Sequence, residues 1–323
     1  MKAIIQDRYG SPDVLQLKEI DKPAIGDEEI LLQVRAAGID QGVWHLMAGL
    51  PYLIRIAGFG LRAPKNPVRG LDVAGRVEAV GESVTEFRPG DEVFGTCNGS
   101  FAEYACARAD RLAPKPANLT FEQAAAVPIS GYAALQAVRD QGKVRAGQRV
   151  LIIGAGGGVG TYAVQLAKVF GAEVTGVVST RKVDLVRSIG ADRVIDYTRE
   201  DFADDGSSYD VILDIAGNRS LSHLRRALAP EGTVVIVGGE GGGKLLGGID
   251  RQLRAYVLSL FVRQKLGTWI SKERKEDLAA LRELLEAGKV TPVVDRTFPL
   301  SEVPEAIRYL RDGRARGKVV ITV

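Results

Sequence analysis

The chain has 323 residues, of which 46% are hydrophobic, 26% charged and 6% aromatic, and its formal net charge is +3. This composition is typical of a globular chain of about two domains and excludes a disordered or fibrous protein. The 43 basic and 40 acidic residues are well mixed, so no basic block indicates a nucleic-acid partner. No apolar run approaches the roughly 20 residues that span a bilayer, and the opening residues MKAIIQDRYG predict no secretory signal peptide. We therefore expect a cytoplasmic protein without stable membrane insertion.

The first third of the chain predicts a β-rich domain. Short apolar runs at residues 2–5, 29–36, 71–80 and 92–94 are separated by glycine, proline and aspartate. This pattern is typical of short strands joined by irregular loops. The segment 50–66 is apolar and basic by turns, and it predicts a loop or a short helical lid.

From residue 120 onward, helices and strands are predicted to alternate. Thr120 and Gln123 have the spacing of a capping box in front of an alanine-rich helix. Strands are predicted at 149–153, 173–178, 194–195, 211–215 and 233–237, and helices at 159–170, 182–189 and 221–229. Such alternation predicts a parallel sheet with right-handed crossovers. The tail predicts helices over 273–287 and 301–310 and strands over 297–300 and 318–323.

A glycine-rich turn lies between the first strand and the first helix of this alternating region. Residues 150–160 read VLIIGAGGGVG. A dinucleotide pyrophosphate needs a tight turn, a backbone without Cβ atoms beside the phosphates, and free N–H groups at the positive end of a helix. We therefore predict a Rossmann dinucleotide site, with pyrophosphate contacts from four consecutive residues, Gly156, Gly157, Gly158 and Val159.

The end of the second strand favours NADPH over NADH. Sites that prefer NAD usually place a carboxylate there to bind the ribose hydroxyls. In this chain Ser179, Arg181 and Lys182 follow the strand. Hydroxyl and cationic groups would bind a 2′-phosphate, which a carboxylate would repel. Tyr197, after a later strand, is a further candidate for contact with the 2′-phosphate or the adenine.

A third set of candidate cofactor residues follows the strand predicted at 233–237. It comprises Gly238, Gly239 and Glu240. In open α/β sheets ligands bind outside the carboxyl ends of the strands. We therefore predict that these residues also contact NADPH.

Short motifs along nearly the whole chain resemble the medium-chain dehydrogenase/reductase superfamily, and most of all its zinc-independent quinone oxidoreductase branch. They are GSPDVL at 10–15, GLDVAGRV at 70–77, PGDEV at 89–93, GSFAEY at 99–104, the glycine turn, GAD at 190–192 and GKVV at 317–320. The resemblance implies an α/β chain with a GroES-like β-barrel catalytic domain formed by residues 1–122 and 266–323. A Rossmann domain with a doubly wound parallel sheet would comprise residues 123–265, and a homodimer is also implied.

The same resemblance argues against a catalytic metal. Zinc-dependent relatives place a cysteine where this chain has Asp40 and a histidine where it has Leu71, and their structural zinc cluster has no counterpart here. Cys97 and Cys106 do not form a C-x-x-C pair. Because a zinc site usually takes three nitrogen or sulfur ligands from the protein, we expect no bound metal.

Without a Lewis acid, quinones and other α,β-unsaturated carbonyls are better hydride acceptors than plain ketones. We therefore predict an NADPH-dependent oxidoreductase that transfers a hydride to such a small-molecule acceptor. Asp40, His45 and Tyr52 are the candidates for donating a hydrogen bond or a proton to the acceptor oxygen. In quinone reductase relatives the positions of Asp40 and His45 often carry Asn and Tyr. Two alternatives stay open: an alcohol or carbonyl dehydrogenase of the same superfamily, and a non-catalytic sensor that binds NADPH.

Overall fold

A computed structural model describes residues 1–204, 206–239, 243 and 245–323. Its strands are β1 (Lys2–Gln6), β2 (Leu15–Glu19), β3 (Glu29–Ile39), β4 (Asp72–Val80), β5 (Glu92–Thr96), β6 (Tyr104–Arg108), β7 (Leu112–Pro114), β8 (Arg149–Ile153), β9 (Glu173–Val178), β10 (Arg193–Asp196), β11 (Tyr209–Asp214), β12 (Leu228–Ile236), β13 (Lys265–Thr268), β14 (Val294–Pro299) and β15 (Lys318–Thr322). Its helices are α1 (Gln41–Ala48), α2 (Phe121–Ala125), α3 (Pro128–Gln136), α4 (Gly158–Val169), α5 (Val183–Ser188), α6 (Leu221–Arg226), α7 (Ile249–Ser259), α8 (Lys275–Glu286) and α9 (Val303–Arg311).

The chain forms two compact units. Unit 1 comprises Met1–Tyr132 and Glu273–Val323, and unit 2 comprises Ala133–Lys272. The sequence motifs place the domain limits several residues earlier, at 122/123 and 265/266, and those limits stay a prediction. Because β13 pairs with β12, the sheet of unit 2 continues to residue 268.

Unit 1 is built on a mixed sheet with β3 near its centre. The strand order is β14-β15-β3-β4-β5-β7, and β6 pairs with β3 as well. Apart from the parallel pair of β14 and β15, these pairings are antiparallel. One apolar core packs α1 and α9 against the sheet through Val43, Met47, Ile307 and Ile321. This packing fixes α1, which carries two of the candidate catalytic residues.

Unit 2 is a doubly wound sheet whose pairings are all parallel. The strand order is β10-β9-β8-β11-β12-β13. This is the order of a Rossmann sheet, in which the carboxyl ends of β8 and β11 meet at the point where the order reverses. The prediction of parallel pairing from alternating helices and strands is therefore confirmed.

Local signals in the sequence gave mixed results. The capping box is confirmed, because the Thr120 side chain accepts from the Gln123 N–H and the Gln123 side chain accepts from the Thr120 N–H. The helix predicted over 221–229 ends at Arg226, since Leu228 already pairs with Tyr209 in the sheet. None of the helices that the structure describes has the length and apolar character needed to cross a membrane.

Candidate functional site

The glycine turn leaves the first N–H groups of α4 available to a ligand. The turn begins at Gly154, which has φ +88°, and its N–H donates to the carbonyl of Val177. Gly157 is the N-cap of α4, and no described side chain caps the helix there. A Cβ at Gly160 would lie 2.1 Å from the Gly154 carbonyl oxygen, so the turn can close only around glycine. Uncapped N–H groups at a helix start form an anion site.

The four residues predicted to contact the pyrophosphate all lie in this turn. Gly158 and Val159 are the first two residues of α4. A Cβ at Gly157 would meet only the Gly154 carbonyl oxygen, at 3.5 Å. A Cβ at Gly156 would lie 2.9 Å from the Cβ and Cδ atoms of Lys182, so the stem of that lysine packs on the turn. The structure therefore brings a cation from the end of β9 beside the phosphate candidates.

The residues predicted to contact the 2′-phosphate share one edge of the sheet. Ser179 follows β9 directly, and Arg181 and Lys182 lie in the single helical turn after it. The Arg181 side chain is exposed and that of Lys182 is half-buried. Tyr197 follows β10, and its N–H donates to the Val178 carbonyl at 3.0 Å. Parallel pairing of β9 with β10 thus places these four residues at one edge of the sheet, and their contact with NADPH stays a prediction.

Asp196 brings a carboxylate to this edge that the sequence interpretation overlooked. Its Oδ2 accepts from the Thr180 hydroxyl at 2.6 Å, and its Oδ1 accepts from the N–H and hydroxyl of Thr198 at 3.0 and 2.8 Å. The hydrogen bond from Thr180, more than any other interaction, lowers the pKa of Asp196. The carboxylate therefore orders the turn after β9, and both of its oxygens are already occupied.

Two arginines at the carboxyl edge of the sheet were not among the sequence candidates. The guanidinium carbon of Arg219 lies 5.8 Å from the ring centroid of Tyr197, and its buried Nε has no hydrogen-bond partner among the described residues. Arg251 forms a buried ion pair with Asp214, the last residue of β11. Burial raises the pKa of Asp214, and the Arg251 charge opposes that shift. The sequence does place Arg219 shortly after the strand β11, which could have marked it as a candidate. Only the fold shows that it reaches Tyr197.

The loop after β12 passes close to the loop after β11. The Gly238 N–H donates to the Asp214 carbonyl at 3.2 Å. A Cβ at Gly238 would lie 2.0 Å from the Ile215 carbonyl oxygen, so this position requires glycine for packing alone. Gly239 follows it, and Glu240 lies outside the described residues. Cofactor contact at Gly238, Gly239 and Glu240 stays a prediction.

Two of the three catalytic candidates belong to α1. Asp40 is the N-cap, and its Oδ1 accepts from the Val43 N–H at 3.1 Å. Its Oδ2 is buried and has no partner in the part of the chain that the structure describes. Nδ1 of His45 lies 3.0 Å from the Leu50 carbonyl oxygen and donates to it, because a carbonyl can only accept. Asp40 thus has a structural role as a cap, besides any role in chemistry.

The third candidate, Tyr52, lies in the segment after α1 that the sequence predicts as a loop or lid. Its side chain is 41% exposed. The Arg55 guanidinium stands over the Tyr52 ring at 4.7 Å and over the Tyr9 ring at 4.4 Å. Arg55 also donates from Nε to the Gly49 carbonyl at the end of α1. Tyr52 is therefore tied to the end of α1 through Arg55.

The side chains at the zinc-ligand positions of the superfamily do not fit a zinc ion. Among the described residues, no three His, Cys, Asp or Glu side chains are grouped as a metal site requires. Asp72 Oδ2 lies 2.9 Å from the ammonium of Lys318, and its Oδ1 accepts from the Ile129 N–H. Burial raises the pKa of Cys97, which keeps its thiol protonated. Asp72 is thus neutralised by Lys318, and the nitrogen and sulfur ligands that zinc prefers are not assembled among the described residues.

Comparison with known proteins agrees with this fold. The model of the alcohol dehydrogenase GroES-like domain matches residues 26–117, and that of the zinc-binding dehydrogenase family matches residues 189–321. The chain is 35% identical over 337 residues to 2-methylene-furan-3-one reductase of Solanum lycopersicum, which covers 99% of this chain and 79% of that protein. It is 34% identical over 343 residues to the chloroplastic NADPH-dependent alkenal/one oxidoreductase of Arabidopsis thaliana, with the same shares of both chains.

The same architecture occurs among solved structures. The quinone oxidoreductase of Coxiella burnetii superposes with a TM-score of 0.85 at 29% identity, and the match covers 100% of this chain and 99% of that one. The GroES-like domain and the Rossmann sheet expected from the sequence are thereby confirmed. The chain belongs to the medium-chain dehydrogenase/reductase superfamily and, within it, to the quinone oxidoreductase-like branch.

Proposed function

We propose that the chain is an NADPH-dependent oxidoreductase that reduces a quinone or another α,β-unsaturated carbonyl compound without zinc. The observation that carries this proposal is the uncapped start of α4, closed by glycine at Gly160 and flanked by Lys182. The names of the two plant relatives describe reduction of alkenals, alkenones and a methylene-furanone, which are all polarised alkenes. Those activities support the same acceptor class for this chain.

Different residues would bind different parts of the dinucleotide. NADPH, when bound, supplies a hydride to the electrophilic carbon of the acceptor. The N–H groups of Gly158 and Val159 would bind the pyrophosphate, and Gly156 and Gly157 would let it approach the backbone. Ser179, Arg181, Lys182 and Arg219 would hold the 2′-phosphate, and Tyr197 would lie against the adenine or that phosphate. Gly238, Gly239 and Glu240 complete the proposed set.

The catalytic candidates act on the acceptor oxygen, which gains negative charge as the hydride arrives. The hydrogen bond from His45 Nδ1 to the Leu50 carbonyl orients the ring, and we assign proton delivery to Nε2. The Tyr52 hydroxyl would donate a hydrogen bond to the same oxygen. Asp40 Oδ2 would accept a hydrogen bond from the hydroxyl group so formed. That group belongs to the hydroquinone when the acceptor is a quinone and to an enol when it is an enone, and the enol then tautomerises to the saturated carbonyl compound. These steps need no metal, because His45 and Tyr52 would stabilise the charge on the acceptor oxygen that a Lewis acid would otherwise stabilise.

We propose that the protein forms a homodimer through unit 2. Among the described strands, β13 has only β12 beside it, so its outer edge offers unpaired backbone groups. Beside it, α7 and the residues after it expose Leu253, Tyr256, Leu260 and Phe261 by 60–80%. A second copy would cover this apolar surface and pair β13 with its own equivalent across a two-fold axis. Light scattering on the purified protein tests this, because a monomeric mass would refute it.

The cytoplasm is the proposed compartment. Cys97 and Cys106 are free thiols, which suits a reducing environment. Cell fractionation with a specific antibody tests this assignment, and recovery of the protein in an organelle or membrane fraction would refute it.

Oxidation of NADPH by the purified protein tests the proposed function directly. The acceptor panel contains a naphthoquinone, an enone and an aldehyde, with a simple alcohol and NADP⁺ for the reverse reaction, and it is repeated with NADH and after exhaustive chelation. We expect oxidation that depends on the quinone or the enone, with NADPH preferred and chelation without effect. Alcohol turnover that needs added zinc would instead indicate an alcohol dehydrogenase. Tight NADPH binding without turnover would indicate a sensor.

A further inference from the structure

A small pocket lies within unit 1, beside α1. Its volume is about 170 Å³, and Val43, Leu46, Phe59 and Leu71 form apolar parts of its wall. Arg69 also lines it. We call this cavity the Arg69 pocket.

Arg69 is a buried cation without a counter-ion among the described residues. The residue is only 7% exposed, and its Nε is buried without a hydrogen-bond partner among the described residues. Burial lowers the pKa of Arg69 to about 10, and the nearby Tyr9 opposes the shift. The guanidinium therefore stays charged near neutral pH. A buried charge that lacks a partner is unfavourable unless a ligand supplies one.

Two other polar residues of the Arg69 pocket, Lys65 and Asn66, also offer hydrogen-bond donors. Lys65 lines the pocket and is exposed to solvent. Asn66 also lines it, and its Oδ1 accepts from the Val68 N–H at 3.0 Å, so its amide NH₂ group is left to donate. Of the described residues that form the wall, none is acidic. Two cations and an amide donor around apolar side chains match an anionic ligand with a hydrocarbon portion.

The size of the Arg69 pocket restricts that ligand. Sites for drug-sized ligands begin at roughly 300 Å³, so a cavity of about 170 Å³ is too small for a dinucleotide. A planar guanidinium matches a carboxylate through two parallel hydrogen bonds. A short-chain carboxylic acid therefore fits both the volume and the donors. The ligand would lie against Val43 and Leu46 of α1, the helix that also carries His45.

We propose that the Arg69 pocket binds the carboxylate of the acceptor, so that the enzyme prefers α,β-unsaturated carbonyl compounds that carry a carboxylate group. This inference rests on the proposed function, because it identifies which members of that acceptor class are recognised. The reduced bond and the source of the hydride are the same as in the proposed reaction. The carboxylate serves only in binding.

A matched pair of acceptors tests the preference. Acetylacrylate and its methyl ester share one enone skeleton and differ in the charge of the carboxyl group. We expect the wild type to have a higher kcat/KM for the acid, and Arg69→Met to lower the acid-to-ester ratio about tenfold or more, because a charge-assisted hydrogen bond pair is lost. Lys65→Met should lower the ratio less. Arg88→Met is the control, since that side chain is 88% exposed and does not line the pocket.

A binding measurement separates the pocket from the chemistry. Levulinate, the saturated analogue of acetylacrylate, is titrated calorimetrically into the wild type, Arg69→Met and Arg88→Met, after circular dichroism has shown that each variant is folded. We expect binding to the wild type and to Arg88→Met, and its loss in Arg69→Met. If Arg69→Met fails to fold, Lys65→Met and Arg69→Lys must still weaken binding for the proposal to stand.

The outcomes distinguish this proposal from the proposed function. Turnover of the ester with equal acid-to-ester ratios in the wild type and Arg69→Met would refute the role of the Arg69 pocket and leave the proposed function standing. Levulinate binding that depends on Arg69, without turnover of acetylacrylate or its ester, would refute the assignment of the ligand as a substrate. The proposed function would be refuted as well only if the naphthoquinone and the enone of the acceptor panel were also not reduced. Absence of levulinate binding to the wild type would refute the carboxylate site itself.

Discussion

The ammonium of Lys318 lies 2.9 Å from Oδ2 of Asp72, and both side chains are buried. The pair joins β15, near the end of the chain, to the first residue of β4. Oδ1 of Asp72 accepts from the N–H of Ile129 at the start of α3, so a third segment is held as well. Between the two strands, a Cβ at Gly38 would lie 2.6 Å from Asp72 Oδ2, which explains the glycine in β3.

Removing one partner of this ion pair should destabilise unit 1. We expect Lys318→Met to lower the free energy of unfolding by about 3–5 kcal/mol, because the Asp72 charge is left buried without a partner. The double variant Asp72→Asn with Lys318→Met should recover much of that loss, since it leaves no uncompensated charge. Unfolding in urea followed by circular dichroism measures both. Equal losses in the single and double variants would contradict a direct interaction.

The pair should also give the stability a defined dependence on pH. Burial raises the pKa of Asp72 from 3.8 to about 6, with the Lys318 charge opposing the shift and the Asp40 charge adding to it. Between these values the folded state binds more protons than the unfolded state, so this contribution to stability falls as the pH rises from 3.8 and is constant above about 6.

The reference for this pH dependence is the double variant Asp72→Asn with Lys318→Met, in which the carboxylate cannot titrate. As the pH rises from 3.8 to about 6, the free energy of unfolding of the wild type should fall relative to that of the double variant. A difference that is independent of pH, or that moves in favour of the wild type, would contradict the raised pKa of Asp72.

Much of unit 2 could be predicted from the sequence, because its signals are local. The spacing of the apolar residues predicts the strands and helices. A turn in which only glycine fits sterically is recognisable in the sequence as a cluster of glycines. Asp196 could not be interpreted in this way. Its partner Thr180 follows the neighbouring strand β9, 16 residues earlier in the chain, and their contact depends on the parallel pairing of β9 and β10. The role of that carboxylate in ordering the turn after β9 is therefore apparent only from the folded sheet.

Unit 1 was harder to predict because its decisive contacts are distant in sequence. Asp40 stood out as an acidic residue at a family ligand position, but its spacing to Val43 is also that of a helix N-cap, and α1 was missed. Arg69 gave no signal, because an arginine beside a glycine in a β-rich region is usually exposed. Its burial results from the packing of segments that the sequence keeps apart. Lys318 is likewise buried only because Asp72 compensates its charge.

Substitutions of two glycines in the turn should distinguish an effect on folding from an effect on cofactor binding. Gly160→Ala should lower the free energy of unfolding by about 1–3 kcal/mol, because its Cβ would lie 2.1 Å from the Gly154 carbonyl oxygen. Gly157→Ala should leave the stability almost unchanged, because its φ of −99° suits alanine and the nearest atom is 3.5 Å away. The same substitution should weaken NADPH binding about tenfold, since the methyl group would meet the pyrophosphate. Thermal melting and fluorescence titration measure the two effects. Unchanged NADPH affinity in Gly157→Ala would show that the turn does not bind the phosphates.

Substitution of the two cations after β9 should change the cofactor preference. We expect Arg181→Ala combined with Lys182→Ala to weaken NADPH binding about tenfold or more and NADH binding much less, because only NADPH has a 2′-phosphate. Arg187→Ala is the matched control, as that arginine lies on α5 and is 63% exposed. Dissociation constants from fluorescence titration measure both cofactors. An equal loss for NADPH and NADH would contradict the 2′-phosphate assignment.

The role of His45 as a proton donor can be tested with two substitutions that differ by one hydroxyl group. Related quinone reductases often have tyrosine at this position, so His45→Tyr should keep most of the activity. His45→Phe has the phenyl ring of tyrosine without the hydroxyl group that donates a proton. We expect its kcat to fall about hundredfold while its NADPH affinity is retained. Both variants lose the hydrogen bond to the Leu50 carbonyl, so a purely structural effect would lower the stability of both alike. Steady-state kinetics with the best acceptor, together with thermal melting, distinguishes the two cases. If His45→Phe and His45→Tyr turn over at the same rate, the residue positions the end of α1 and delivers no proton.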